Sequence, residues 1–126
     1  MKTLAPLFLE MSAALLGSLL ALNNATACSC RPGLPLNHYR YATDIFEGRA
    51  TSYSTLTVKR VWKGARTQGQ EFHTHFTGLC DFPVKKGEEY LVFASQKNEL
   101  DLCNGTRPLK GAEPELDFLA KYRPEM

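Results

Sequence analysis

The chain has 126 residues, 44% hydrophobic and 22% charged, with a formal net charge of +2. That composition fits one small globular domain. It excludes a charge-driven nucleic-acid binder, because the lysines and arginines are spread along the chain and form no basic helix or aromatic-studded RNA motif.

Residues 1–27 read as an export signal. "MK" supplies a short positive start, "LAPLFLEMSAALLGSLLAL" a mostly apolar run, and "ATA" a small-x-small cleavage site that ends at Ala27. Glu10 interrupts the run, and a start at Met11 would avoid it but lose the positive end. A retained membrane anchor needs about 20 continuous apolar residues, so cleavage is the better reading. The mature domain is then 28–126, secreted or periplasmic, and begins on Cys28.

All four cysteines, Cys28, Cys30, Cys80 and Cys103, fall in that mature part. An even count in a small exported domain argues for two disulfides. Zinc ligation is the competing reading, but only the first cysteine pair is closely spaced. A Cys28–Cys30 bridge would close a tight, strained ring. Either remaining connectivity ties the N-terminus to the regions of Cys80 and Cys103, closing loops of about fifty residues or more, each worth about 4 kcal/mol.

Beyond the cysteines, "RPGLPLNHYRYATD" carries turn residues and then one or two helical turns with Pro35 near their start. "DIFEGRATS" reads as a strand in which Gly48 marks a bulge. "TLTVKRVWKG" is a second strand; Leu56 and Val58 alternate, Val61 is out of phase, and a bulge or twist is expected near Lys59–Arg60. "QEFHTHFTG" alternates as a third, with Phe72, Thr74 and Phe76 on one face and His73 and His75 on the other. After a Lys-Lys-Gly turn, "YLVFAS" is a central strand, and "NELDLCNGTRPL" a last, shorter one with a turn at Asn104-Gly105. "GAEPELDFLAKYRPEM" places Leu116, Leu119 and Ala120 at helical spacing, acidic residues early and basic ones late. About five short strands with bulges and a C-terminal helix fit a mainly β, OB-type barrel better than a sandwich.

Chemistry-bearing constellations are few. His73 and His75 are spaced to offer two imidazoles to one metal ion but have no third ligand nearby, and an exposed strand face explains them as well. His38 stands alone beside Tyr39 as a surface or packing residue. The chain has no G-x-S-x-G, no phosphate-cradling glycine loop and no lone cysteine with a base, so catalysis is not expected. Asn104-Gly105-Thr106 is a glycosylation sequon, but an Asn-Gly turn accounts for it equally.

The order "CSC", Pro32, "YATDIFEGRA", "VKRVWKG", "GLCDFPVKKGEEYLVFA" and "LCNGTRPL" resembles the netrin-like domain of the tissue inhibitors of metalloproteinases, especially compact single-domain members. The likeness covers nearly all of residues 28–126. It implies an OB-type barrel with a short N-terminal helix and a C-terminal helix. It also implies the pairs Cys28–Cys80 and Cys30–Cys103. The family's further N-terminal-domain disulfide has no cysteines here.

The resemblance further implies a secreted inhibitor, not an enzyme, without a cofactor and acting as a monomer. Its partner would be a zinc metalloprotease. Cys28 would chelate that protease's zinc through its α-amine and carbonyl, taking the position that a catalytic zinc keeps for water or substrate. The amine must be neutral to bind, which an α-amino pKa of about 7.7–8.0 permits near neutral pH. Ser29 would enter the specificity pocket, Cys30, Arg31 and Pro32 would follow the substrate groove, and Gly78, Leu79 and Cys80 would form a second contact ridge. Arg31 stands where animal members commonly carry an apolar residue.

Two other readings compete. One is a non-inhibitory netrin-like binding module of the envelope or extracellular space. In one form it is membrane-attached through a lipid on Cys28, although Ala25 stands where lipoprotein signals favour a larger apolar residue. The other is a redox or metal-handling protein using Cys28 and Cys30 as thiols.

Overall fold

The computed structural model describes residues 28–30 and 33–122. The export segment with its cut after Ala27, the groove residues Arg31 and Pro32, and the last four residues of the expected domain lie outside them. The order of elements is α1 (Pro35–Tyr41), β1 (Asp44–Ala50), β2 (Thr55–Lys63), β3 (Glu71–His73), β4 (Glu89–Ala94), β5 (Arg107–Pro108) and α2 (Glu113–Lys121). The chain is mainly β. Its strands form one antiparallel sheet in the order β3-β2-β1-β4-β5, an open ladder with β3 and β5 at its edges.

Alternation divides the core between the two faces of this sheet. Phe46, Ala50, Leu56, Val58, Phe72, Tyr90, Val92 and Ala94 fill one face, covered by Val84, Leu100 and the half-buried Phe82 from connecting segments. Ile45, Leu91 and Phe93 line the other, which α2 covers with Leu119 and its N-cap Ala112. β4 is buried on both faces, which is why its sequence is a continuous apolar run.

Val61 reaches the first face because β2 is bulged. Glu47 pairs with Arg60 and Gly48 with Val58, leaving Lys59 without an opposite residue. That extra residue resets the alternation, so Val61 joins Leu56 and Val58. A second shift, between Ile45 and Phe46, leaves Trp62 over. Its indole packs on the second face and donates from Nε1 to Glu47 Oε2 at 2.9 Å, while the Arg60 guanidinium lies 4.1 Å from the ring centre.

Two strands are shorter than their alternation suggests. β3 ends at His73; the N–H of Thr74 donates to Ser54 O, and that of His75 crosses to Asn98 O. His75 therefore falls beyond the strand, and Phe76 leaves the core to stack on exposed Tyr53, ring centres 6.0 Å apart. β5 has only Arg107 and Pro108. Thr106 interrupts the ladder before it, because its buried hydroxyl accepts from Phe93 N–H at 2.9 Å and donates to Phe93 O at 3.3 Å. In α2, Leu119 is buried and Leu116 half-buried as expected. Ala120 is exposed, however, and Phe118 packs in its place.

Polar anchors fix both ends of the sheet. Lys63 Nζ donates to the carbonyls of Tyr39 and Ala42, at 2.6 and 2.7 Å, and so satisfies the C-terminus of α1. Burial lowers the Lys63 pKa, an effect opposed by the charge of Asp44. Arg66 spans Asp44 and Asn98, donating to their side chains at 3.3 and 2.6 Å. Gly64 lies against the same aspartate: at φ 98°, a Cβ there would stand 2.1 Å from Asp44 Oδ1.

Gly64→Ala is therefore expected to cost about 3 kcal/mol or more. Gly69→Ala has a similar φ of 87° and no neighbour within 4 Å; it should cost only the backbone penalty of about 1–2 kcal/mol. Urea midpoints of the two variants check this ordering, and equal losses would contradict it.

Candidate functional site

Two disulfides bind the first described residues to the body of the fold. Cys28 is bridged to Cys80 and Cys30 to Cys103, with Cα separations of 5.8 and 5.1 Å. This is the pairing that the resemblance implied. It is compatible with an oxidising or extracellular compartment. All four cysteine sulfurs are engaged, so the redox-thiol reading has no free sulfur to act through.

The two partner cysteines sit on loops that face each other. Asp81 and Asp101 form an antiparallel bridge, flanked by hydrogen bonds from Leu102 N–H to Cys80 O and from Phe82 N–H to Leu100 O. Each aspartate side chain then folds back on the loop carrying its neighbouring cysteine. The Asp81 carboxylate accepts from the N–H of Thr77 at 2.9 Å, the Thr77 hydroxyl at 3.1 Å and the N–H of Gly78 at 2.8 Å. Asp101 Oδ1 accepts from Cys103 N–H at 2.7 Å. Short acidic side chains form such local bonds readily, and they replace ladder pairing where the chain must turn.

Neither aspartate was singled out from the sequence. The available signal was local, an Asp directly after one bridging cysteine and another two residues before the second, each beside glycine-containing turns. It became informative only when the cysteines had partners.

The ridge of Gly78, Leu79 and Cys80 thus lies directly against the N-terminus. Cys28 Sγ is 3.6 Å from Leu79 O. Because that sulfur is in a disulfide and carries no proton, this is a packing contact and not a hydrogen bond. Gly78 supports the turn with φ 80°, and Ser29, Gly78 and Leu79 are exposed. Leu34, Leu79 and Leu102 are exposed by 69, 83 and 42%, and each lies within a few residues of a bridged cysteine. A cavity of about 310 Å³ adjoins this edge, lined by the Cys30–Cys103 pair together with His38, Leu102, Arg107 and Glu115.

The other singled-out residues lie apart in character. His73 Nδ1 is 3.3 Å from Thr55 Oγ1 and its Nε2 is 3.5 Å from Glu71. Among the described residues no group of three potential ligands could hold a metal ion. Asn104 is exposed, whereas the Thr106 of its sequon is committed to Phe93.

Asp81 is the ionisable group on which the ridge depends. Its pKa is lowered first by the Thr77 N–H, with further help from Gly78, the Thr77 hydroxyl and the charge of His75, against an opposing desolvation. A depressed carboxylate contributes stability that is present above its unfolded pKa and lost as pH falls through the folded value. Asp81→Asn should therefore speed amide exchange at Thr77 and Gly78 at neutral pH and flatten the acid limb of the stability curve. Exchange and acid titration of the two proteins check this; an unchanged acid limb would contradict it. No protein-family model matches the sequence, and no characterised protein matches it either.

Proposed function

We propose that the chain is an exported inhibitor of zinc metalloproteases, a compact member of the tissue inhibitor of metalloproteinases family with an OB-type netrin-like barrel. The leader, residues 1–27, is removed after Ala27, and the α-amine and carbonyl of Cys28 take the open position on the target's zinc. Ser29 enters the specificity pocket; Cys30, Arg31 and Pro32 run along the substrate groove; Gly78, Leu79 and Cys80 contact the protease beside it. The inhibitor acts as a monomer and carries no cofactor, the metal being the target's own.

One observation carries this reading. Both disulfides fix the residue that follows the small-x-small site to the loops paired through Asp81 and Asp101, where Leu79 and Leu102, each next to a bridged cysteine, are exposed. Exposed apolar side chains beside an anchored chain end suit a protein contact. A chain start that is already held in place loses little further freedom on docking, and this converts a weak bidentate ligand into a useful one. Only the neutral amine has a lone pair to donate, so binding weakens as pH falls through the α-amino range of about 7.7–8.0.

The test is to produce the chain starting at Cys28 and the same chain with one extra residue before it, and to measure inhibition of a panel of zinc proteases. The native start should inhibit at least one member and the extended form should not. Equal inhibition by both would contradict chelation, and no inhibition by either would contradict the function.

A further inference from the structure

The geometry points to His38 as a positioning residue that sets the direction of the N-terminal arm, an inference that rests on the inhibitor reading for its functional consequence. His38 lies within α1 and is half-buried. Its ring meets Phe93 edge-on, with centres 6.1 Å apart, and so stands on the buried second face of the sheet. From that base it reaches two glycines. A Cβ on Gly33 would stand 2.6 Å from His38 Nε2, and one on Gly105 would stand 3.0 Å from both Cγ and Nδ1.

These glycines lie on the two chain segments joined by the Cys30–Cys103 bridge. One follows Cys30 in the arm; the other follows Cys103. A single imidazole therefore separates the two backbones just where the disulfide draws them together. Among the described residues no hydrogen bond holds its ring nitrogens, so the ring acts by its volume. It cannot retreat easily, because Lys63 fixes α1 through the carbonyls of Tyr39 and Ala42. The bridge sets how close the arm lies, and the wedge sets its angle.

Glycine at 33 is required by the ring. This makes a compensating pair available: Gly33→Ala pushes a methyl into the imidazole, His38→Ala vacates the space, and the double variant places the methyl in the vacancy. Interacting neighbours of this kind are non-additive.

The experiment expresses the full chain with its own leader, recovers the exported protein, and measures backbone NMR order parameters at Ser29 and Cys30, inhibition of a zinc metalloprotease, and the thermal midpoint. Each single variant should lower the backbone order parameters at Ser29 and Cys30 and weaken inhibition about tenfold, the cost of ordering one residue on binding. The double variant should recover most of both. Gly33→Ala, at an exposed position, serves alone if His38→Ala does not fold. Unchanged order parameters at Ser29 and Cys30 in the single variants would overturn the role of His38, as would simple addition in the double. So would a fall in thermal midpoint without any arm-specific change. The order parameters need no protease, so an inhibitor reading that fails leaves this test intact.

Discussion

The Cys28–Cys80 and Cys30–Cys103 bridges are the constraint on which the candidate site depends. By closing separations of 52 and 73 residues they remove chain entropy from the unfolded state, worth about 4 kcal/mol each in the loop-closure model. That alone would matter in a domain of this size. Their placement matters more. Two residues apart on the arm, they hold it at two points on the body of the fold, whereas a single bridge would hold it at one.

The rest of the structure serves that constraint in layers. β1 and β4 supply a core buried on both faces, and the bulges in β2 let one strand contribute Val61 to one face and Trp62 to the other. Onto this frame the Asp81–Asp101 bridge brings together the loops carrying Cys80 and Cys103, with each carboxylate shaping its own loop. A negatively charged acceptor facing several N–H groups is a stronger clamp than neutral pairing. The partner cysteines therefore project from stiff loops, and stiffness there is transmitted through sulfur to Cys28.

Much of this was legible in the sequence where one periodicity acts alone. The continuous apolar run of β4, the phase slip at Val61 and the charge order of α2 each have one physical explanation, and each held. Alternation failed where hydrogen bonds outside the ladder claimed the groups that would have continued it. Thr106 uses its hydroxyl to bond both backbone groups of Phe93, which truncates β5. His75 bonds to Asn98, which truncates β3 and turns Phe76 outward to Tyr53. The positions of Asp81 and His38 in the candidate site were invisible for a related reason. Their partners are loop amides and glycine backbones, distant or common in sequence, and become specific only after the disulfides have closed.

The proposed inhibition needs one free chain end, and intact-mass and peptide analysis of the exported protein reads it directly. The expected result is a first residue of Cys28 with an unmodified α-amine, and bridged peptides linking Cys28 to Cys80 and Cys30 to Cys103. A first residue other than Cys28, or an acyl group on its amine or sulfur, would contradict it, because the atoms assigned to the target's zinc would then be unavailable.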